Sequence, residues 1–151
     1  MLLLGLGLLA CGQGRQTEYG PTALVSTYLE TVRPLLQEVR ALDVRIARAV
    51  PADSVDAQLI APLIEEDFRP RLVSLHERAG RIAHTAELEA THRLLEEYLR
   101  LRLEAFDLIL QGVRQSRPEL FAQFDLRLAR ADSLGSALES ALFQIQQSLG
   151  R

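Results

Sequence analysis

The chain has 151 residues, a net charge of −3 at pH 7, one cysteine and no tryptophan. A single cysteine excludes an internal disulfide, so compaction falls to packing alone. Acidic and basic residues alternate and leave no basic stripe of the kind that tracks a nucleic-acid backbone, and aromatics at 5% are too few for sugar or base-stacking platforms, so no nucleic acid is expected as a partner. Every basic residue apart from histidine is arginine.

Residues 1–10 are apolar or small and run into Leu8-Leu9-Ala10-Cys11. This is far short of the roughly 18 to 20 apolar residues that cross a bilayer as a helix. It has the length of the apolar centre of a secretory signal peptide, about 7 to 15 residues, and the small side chains that a peptidase accepts. Leu8-Leu9-Ala10-Cys11 resembles the lipobox of bacterial lipoproteins. The resemblance implies a signal peptide over residues 1–10, a diacylglyceryl group on the Cys11 sulfur, cleavage before Cys11 and acylation of the freed amine. Two or more acyl chains then give the stable membrane attachment that one does not. Gly12, in place of Asp after the acylated cysteine, implies the outer membrane of the cell envelope, facing the periplasm. No Lys or Arg precedes Cys11, a departure from the signal-peptide pattern. Residues 11–20 hold Gly12, Gly14 and Gly20 with no apolar period and read as a flexible tether.

The remainder, residues 21–151, has the size of one ordinary domain. Val25, Tyr28, Val32, Leu35, Val39, Leu42, Ile46 and Ala49 alternate threes and fours, which predicts a first helix over about 22–50 with Thr22 as its N-cap and a bend at Pro34. Pro51-Ala52-Asp53 closes it, and Asp53 caps the next. A second helix over 54–83 carries Ala61, Ile64, Phe68, Leu72, Leu75, Ala79 and Ile82 on one stripe, with bends at Pro62 and Pro70 or, alternatively, a short helix followed by a longer one. Thr85-Ala86-Glu87 marks a fresh start for a third helix over 86–115, whose core face is Leu88, Leu95, Leu99, Phe106, Ile109 and Val113. Ser116-Arg117-Pro118-Glu119 matches the S-x-x-E capping box and opens a fourth helix over 117–149, closed by Gly150 in a left-handed cap. Four amphipathic helices of near-equal length on short connections predict an all-α, antiparallel, up-down-up-down four-helix bundle with proline-bent helices 1 and 2.

Glu89-Ala90-Thr91-His92 places a carboxylate and an imidazole at the spacing that di-iron bundles use, but such sites need a second pair, and neither His76 nor His84 has a carboxylate three positions before it. A turn near residue 84 would let His84 and His92 approach each other; otherwise all three histidines belong on polar faces or at helix ends. Haem is disfavoured because Met1 is the only methionine. Arg69 with Arg71 and Arg100 with Arg102 are candidate anion-binding pairs, and Arg102, beside the seam, reads as a snorkelling side chain, with an interhelical ion pair or a ligand contact as the alternatives. No catalytic residue, cofactor or metal site is assigned. The small residues Ala131, Ser133, Gly135, Ser136, Ala137, Ser140 and Ala141 admit a close neighbour: another helix of the bundle, a partner helix or a second copy. The expectation is a lipid-anchored envelope protein that works through protein contacts and is not an enzyme. The competing reading is a ligand- or metal-binding periplasmic bundle, sensor or carrier, using His84, His92, Glu89 or Arg102.

Overall fold

The computed structural model describes residues 15–49 and 57–150. The segment expected to be a lipobox with Cys11, and the expected Pro51-Ala52-Asp53 turn and Asp53 cap, lie outside the described residues. α1 (Thr22–Ala49) buries Val25, Tyr28, Val32, Leu35, Val39 and Leu42, and adds Leu29 and Leu36 to the stripe; Ile46 is partly buried and Ala49 is exposed. Pro34 interrupts nothing large, because it lies on the exposed side, where water can serve the carbonyl that its missing N–H leaves unbonded.

The second rod is made of α2 (Ala57–Leu63), a π-helical turn (Ile64–Phe68) and α3 (Arg69–Ala79). Of the two expected forms, this is the short helix followed by a longer one, joined by one widened turn between Pro62 and Pro70. The Arg69 N–H donates to the Ile64 carbonyl, five residues back, immediately before the proline whose ring would collide with residue 66 in a regular helix. Ile60, Ile64, Phe68, Leu72, Leu75 and Ala79 remain on the core face through the change of pitch. The rod stops at Ala79, short of residue 83, and Ile82 folds back into the core. A 3-10 turn (Ala86–Leu88) leads into α4 (Glu89–Gln115), and α5 (Glu119–Leu149) completes the bundle.

Cross-links between rods run in opposite chain directions at every neighbouring pair. Glu38 bonds Arg78 at 2.7 Å while Arg45, further along α1, bonds Asp67, earlier in the second rod. Arg69 reaches Asp107 at 2.6 Å and Glu65 reaches Arg114. Arg102 of α4 faces Asp132 of α5, whereas Gly112 sits against Phe121. Arg40 pairs with Glu139 at 2.6 Å and Arg33 with Gln146. The architecture is therefore an antiparallel up-down-up-down four-helix bundle, and α4 and α5 form its most extensive contact.

Several local expectations are corrected. The tether expected over residues 11–20 is structured from Arg15 onward: β1 (Gln16–Thr17) pairs antiparallel with β2 (Gly20–Pro21). Thr22 does not accept as an N-cap; its N–H and its hydroxyl both donate to the Arg15 carbonyl, at 2.9 and 2.6 Å, which ties the hairpin to the start of α1. The hairpin docks on the loop before α4, where the Thr85 hydroxyl donates to the Tyr19 carbonyl at 2.7 Å. Gly20 has φ +111°, and a Cβ there would lie 2.9 Å from Thr85 Cγ2, so both backbone and space require glycine. The Ser116–Glu119 capping box does not form. Ser116 instead ends α4 in the left-handed region (φ 52°), with the Arg117 N–H on the Gly112 carbonyl at 2.9 Å in a Schellman arrangement, and Glu119 accepts from Arg117. Gly150 ends α5 with φ −88°, not left-handed.

Candidate functional site

The core seam of α4 repeats at threes and fours from Leu88 to Val113, and two of its places hold polar residues: His92 and Arg102. Both were expected on or near solvent. Both are buried, at 4% and 5% exposure, because they occupy the seam positions between Leu88 and Leu95 and between Leu99 and Phe106. The repeat carries them inward whatever their polarity.

His92 lies at the hairpin end of the bundle. The chain leaving α3 dips at Ile82 and returns over α4, which sets His84 on His92 with ring centroids 4.0 Å apart and planes 23° from parallel. The Tyr28 ring of α1 meets both edge-on, at 6.4 and 6.1 Å. The approach of His84 to His92 expected from a turn near residue 84 therefore occurs. His84 Nδ1 is 3.0 Å from the Ile82 carbonyl and its Nε2 is 2.8 Å from Glu89 Oε2. Both partners only accept, so both ring nitrogens carry protons when both bonds are made, and the ring is an imidazolium. The Ile82 carbonyl first and the Glu89 carboxylate second raise the His84 pKa above the ordinary histidine value. His92 moves the other way, since burial, then the positive charge on His84, hold its pKa down. The two stacked rings are thus driven apart, His84 toward its charged form and His92 toward its neutral one. His92 Nδ1 and the Tyr28 hydroxyl are buried and make no hydrogen bond among the described residues, and Glu96 Oε1, at 3.8 Å from His92 Nε2, is beyond bonding range. Glu89, expected to face solvent, does so and is held ionised by His84.

Arg102 forms the second polar cluster, half-way along the bundle. Its guanidinium pairs with Asp43 of α1, lies 3.8 Å from Asp132 of α5, and approaches the Tyr98 hydroxyl at 3.4 Å with the ring centroid at 5.5 Å. The expected snorkelling reading is corrected: this is an interhelical ion pair joining α1, α4 and α5. Burial pushes the Tyr98 hydroxyl up to about 12. Gly135 of α5 makes room for that ring, since a Cβ would lie 3.1 Å from Tyr98 Cε2. Arg102 Nε is buried without a bond among the described residues.

The arginine pairs expected to bind anions are neutralised internally. Arg69 bonds Asp107, Arg71 bonds Asp67 and Arg100 bonds Glu97 and Glu104. Among the described residues no group of three or more His, Cys, Asp or Glu side chains is arranged to hold a metal ion, and His76 stands apart from the stacked pair, in a groove with Arg93 and Glu96. A cavity of about 670 Å³ lies at the opposite end from the histidines, between Ile109, Val113, Phe121 and Phe124, and collects none of the polar cluster residues. The sequence signal for both clusters was available: each marks a gap in an otherwise unbroken apolar heptad. No protein-family model matches the chain, and no curated protein or solved structure matches it.

Proposed function

We propose that this chain is a lipoprotein of the bacterial envelope, acylated at Cys11, and that its domain acts through protein contacts, as an accessory or assembly component. One observation carries the reading of the domain: the polar clusters of the interior are joined to groups of the domain itself. His84 is held by Ile82 and Glu89, and Arg102 by Asp43 and Asp132. On the outer helix faces Leu59, Leu126 and Phe143 are exposed and open to another molecule. The location rests on Leu8-Leu9-Ala10-Cys11. No helix among the described residues is long and apolar enough to cross a membrane, so a lipid at Cys11 would be the means of attachment in this reading. With Arg15 bonded to Thr22, only residues 12–14 separate Cys11 from the hairpin, at most about 14 Å of extended chain, and the hairpin end of the bundle would stand against the headgroups. Gly12 favours the outer membrane.

Mass spectrometry of the protein recovered from a bacterial envelope tests the reading. The expected result is an N-terminal peptide that begins at an acylated Cys11, together with loss of processing and of membrane attachment in Cys11→Ser. An intact chain with a free thiol overturns it.

The second reading, a ligand- or metal-binding bundle, is favoured by one observation, the stack of His84 on His92 beside the unbonded Tyr28 hydroxyl. Calorimetric titration with Zn²⁺ or Ni²⁺ tests it: binding that disappears in His84→Ala supports a carrier or sensor, and no heat of binding removes it.

A further inference from the structure

α5 is free of charge on two opposite sides. One side turns Ala131, Leu138 and Ile145 into the core. On the other, positions spaced alternately by four and three run from Ala122 through Leu126, Ala129 and Ser133 to Phe143 and Gln147. All are exposed, as are 136 and 140 between them, and none is charged. Leu126 and Phe143, the two large apolar side chains of this side, are 73% and 64% exposed. The spacing is that of the a and d positions of a two-stranded coiled coil, filled here by one large apolar side chain near each end and by small residues between them that allow close approach of backbones.

The flanking charges choose the partner and the direction. On α5, Glu119, Arg127, Asp132 and Glu139 each face an opposite charge of the same domain: Arg117, Glu104, Arg102 and Arg40. Asp125 and Arg130 make no ion-pair contact within 4 Å among the described residues, although Arg130 is near enough to Glu97 of α4 to stabilise its charge. In the heptad they occupy a g position and the next e position, on either side of the seam. Two parallel helices bring g of one beside the e five residues on in the other, so Asp125 would meet Arg130 of the partner subunit, and symmetry repeats the pair. An antiparallel arrangement would instead set Asp125 beside Gln146 of the partner subunit and Arg130 beside Ala137 of the partner subunit, leaving both charges without an opposite one. We propose that α5 docks in parallel along α5 of a second copy of this chain, with Leu126 and Phe143 each meeting its own counterpart. The charge argument stands alone; the lipid-anchored reading adds that two copies held at their hairpin ends by one membrane also present α5 in parallel. A single helix pair buries an area near the lower edge of about 1,000–1,200 Å² that a stable interface needs. The dimer is therefore weak in dilute solution and gains from confinement of both copies on one surface.

The test is disulfide formation in the full-length acylated chain carrying Ala122→Cys, in phosphatidylethanolamine–phosphatidylglycerol vesicles under mild oxidation. Parallel docking places the two residue-122 sulfurs side by side, whereas antiparallel docking places them roughly 37 Å apart and opposite residue 147. The expected result is a dimer on a non-reducing gel, about tenfold less of it after Phe143→Glu, and a loss of about fivefold with Asp125→Arg that is recovered when Arg130→Asp is added. No cross-link at position 122 while mass spectrometry finds Cys11 acylated overturns the dimer and leaves the anchor standing. A cross-link only between Ala122→Cys and Gln147→Cys chains overturns the parallel direction. If Cys11 proves unacylated, sedimentation of Cys11→Ser at high concentration decides the dimer independently: self-association lost in Phe143→Glu supports it, and a monomer refutes it.

Discussion

Asp43→Ala strands a buried guanidinium, whereas Arg102→Met leaves only the Tyr98 hydroxyl without its 3.4 Å partner. In the first variant Arg102 keeps only Asp132 at 3.8 Å and the Tyr98 hydroxyl at 3.4 Å, with its Nε already unbonded. Removing one member of a buried pair costs about 3–5 kcal/mol, and a hydrogen bond to a charged group contributes about 1.5–3 kcal/mol. Asp43 is 41% exposed, so water takes up part of the lost interaction and the lower figure applies, about 2 kcal/mol. In the second variant the methionine stem replaces the arginine stem, and the two carboxylates, 41% and 66% exposed, return to solvent. The expected cost is below about 1 kcal/mol. With a urea slope of about 2 kcal/mol/M, Asp43→Ala lowers the unfolding midpoint by about 1 M and Arg102→Met by less than about 0.5 M. The double variant should unfold near Arg102→Met, because the stranded charge is gone. Urea titrations followed by circular dichroism at the helix band measure all three. Should Arg102→Met prove the more damaging single change, with no recovery in the double variant, the interior ion pair is not organised as described.

Ser116→Gly removes the penalty of a left-handed serine at the end of α4 and should raise stability by about 0.5–1 kcal/mol in a thermal melt; a loss would mean that the serine hydroxyl has a role there. Gly20→Ala forces a side chain into both an unfavourable φ and the Thr85 methyl, so the hairpin should open and trypsin should cut after Arg15 several-fold faster, with the helical signal unchanged. A protection equal to the parent would refute the docked hairpin. The two stacked histidines should titrate apart in an NMR pH series. His84, with its pKa raised, contributes stability that is complete below about pH 6.5 and is lost as pH rises through its folded value; His92, with its pKa lowered, contributes stability that is complete above about pH 6.5 and is lost as pH falls through its folded value. His84→Ala should move His92 upward, and a His92 that protonates before His84 in the parent contradicts the stack.

The bundle was legible because its signal is redundant. Val25 to Leu42 on α1 and Leu88 to Ile109 on α4 repeat the same spacing many times, so one misread residue changes nothing. Helix ends lack that redundancy. Thr22, Ser116 and Gly150 each have the right residue type for a cap, but the type only offers a bond, and the neighbouring chain decides whether it is made. Thr22 turned to Arg15 because the hairpin lay there, and residues 15–20 looked like tether because two-residue strands leave no period to read.

The order of apolar residues by itself determined the helix count, the buried faces and the antiparallel arrangement, since burial of a repeating stripe dominates the energy and short connections leave few topologies. Tertiary structure alone decided the polar interior. Arg102 found Asp43 59 residues away, and His84 came onto His92 through a loop whose path depends on where Ile82 packs. Pairings of this kind depend on distances across the bundle, which a pattern along one helix does not contain.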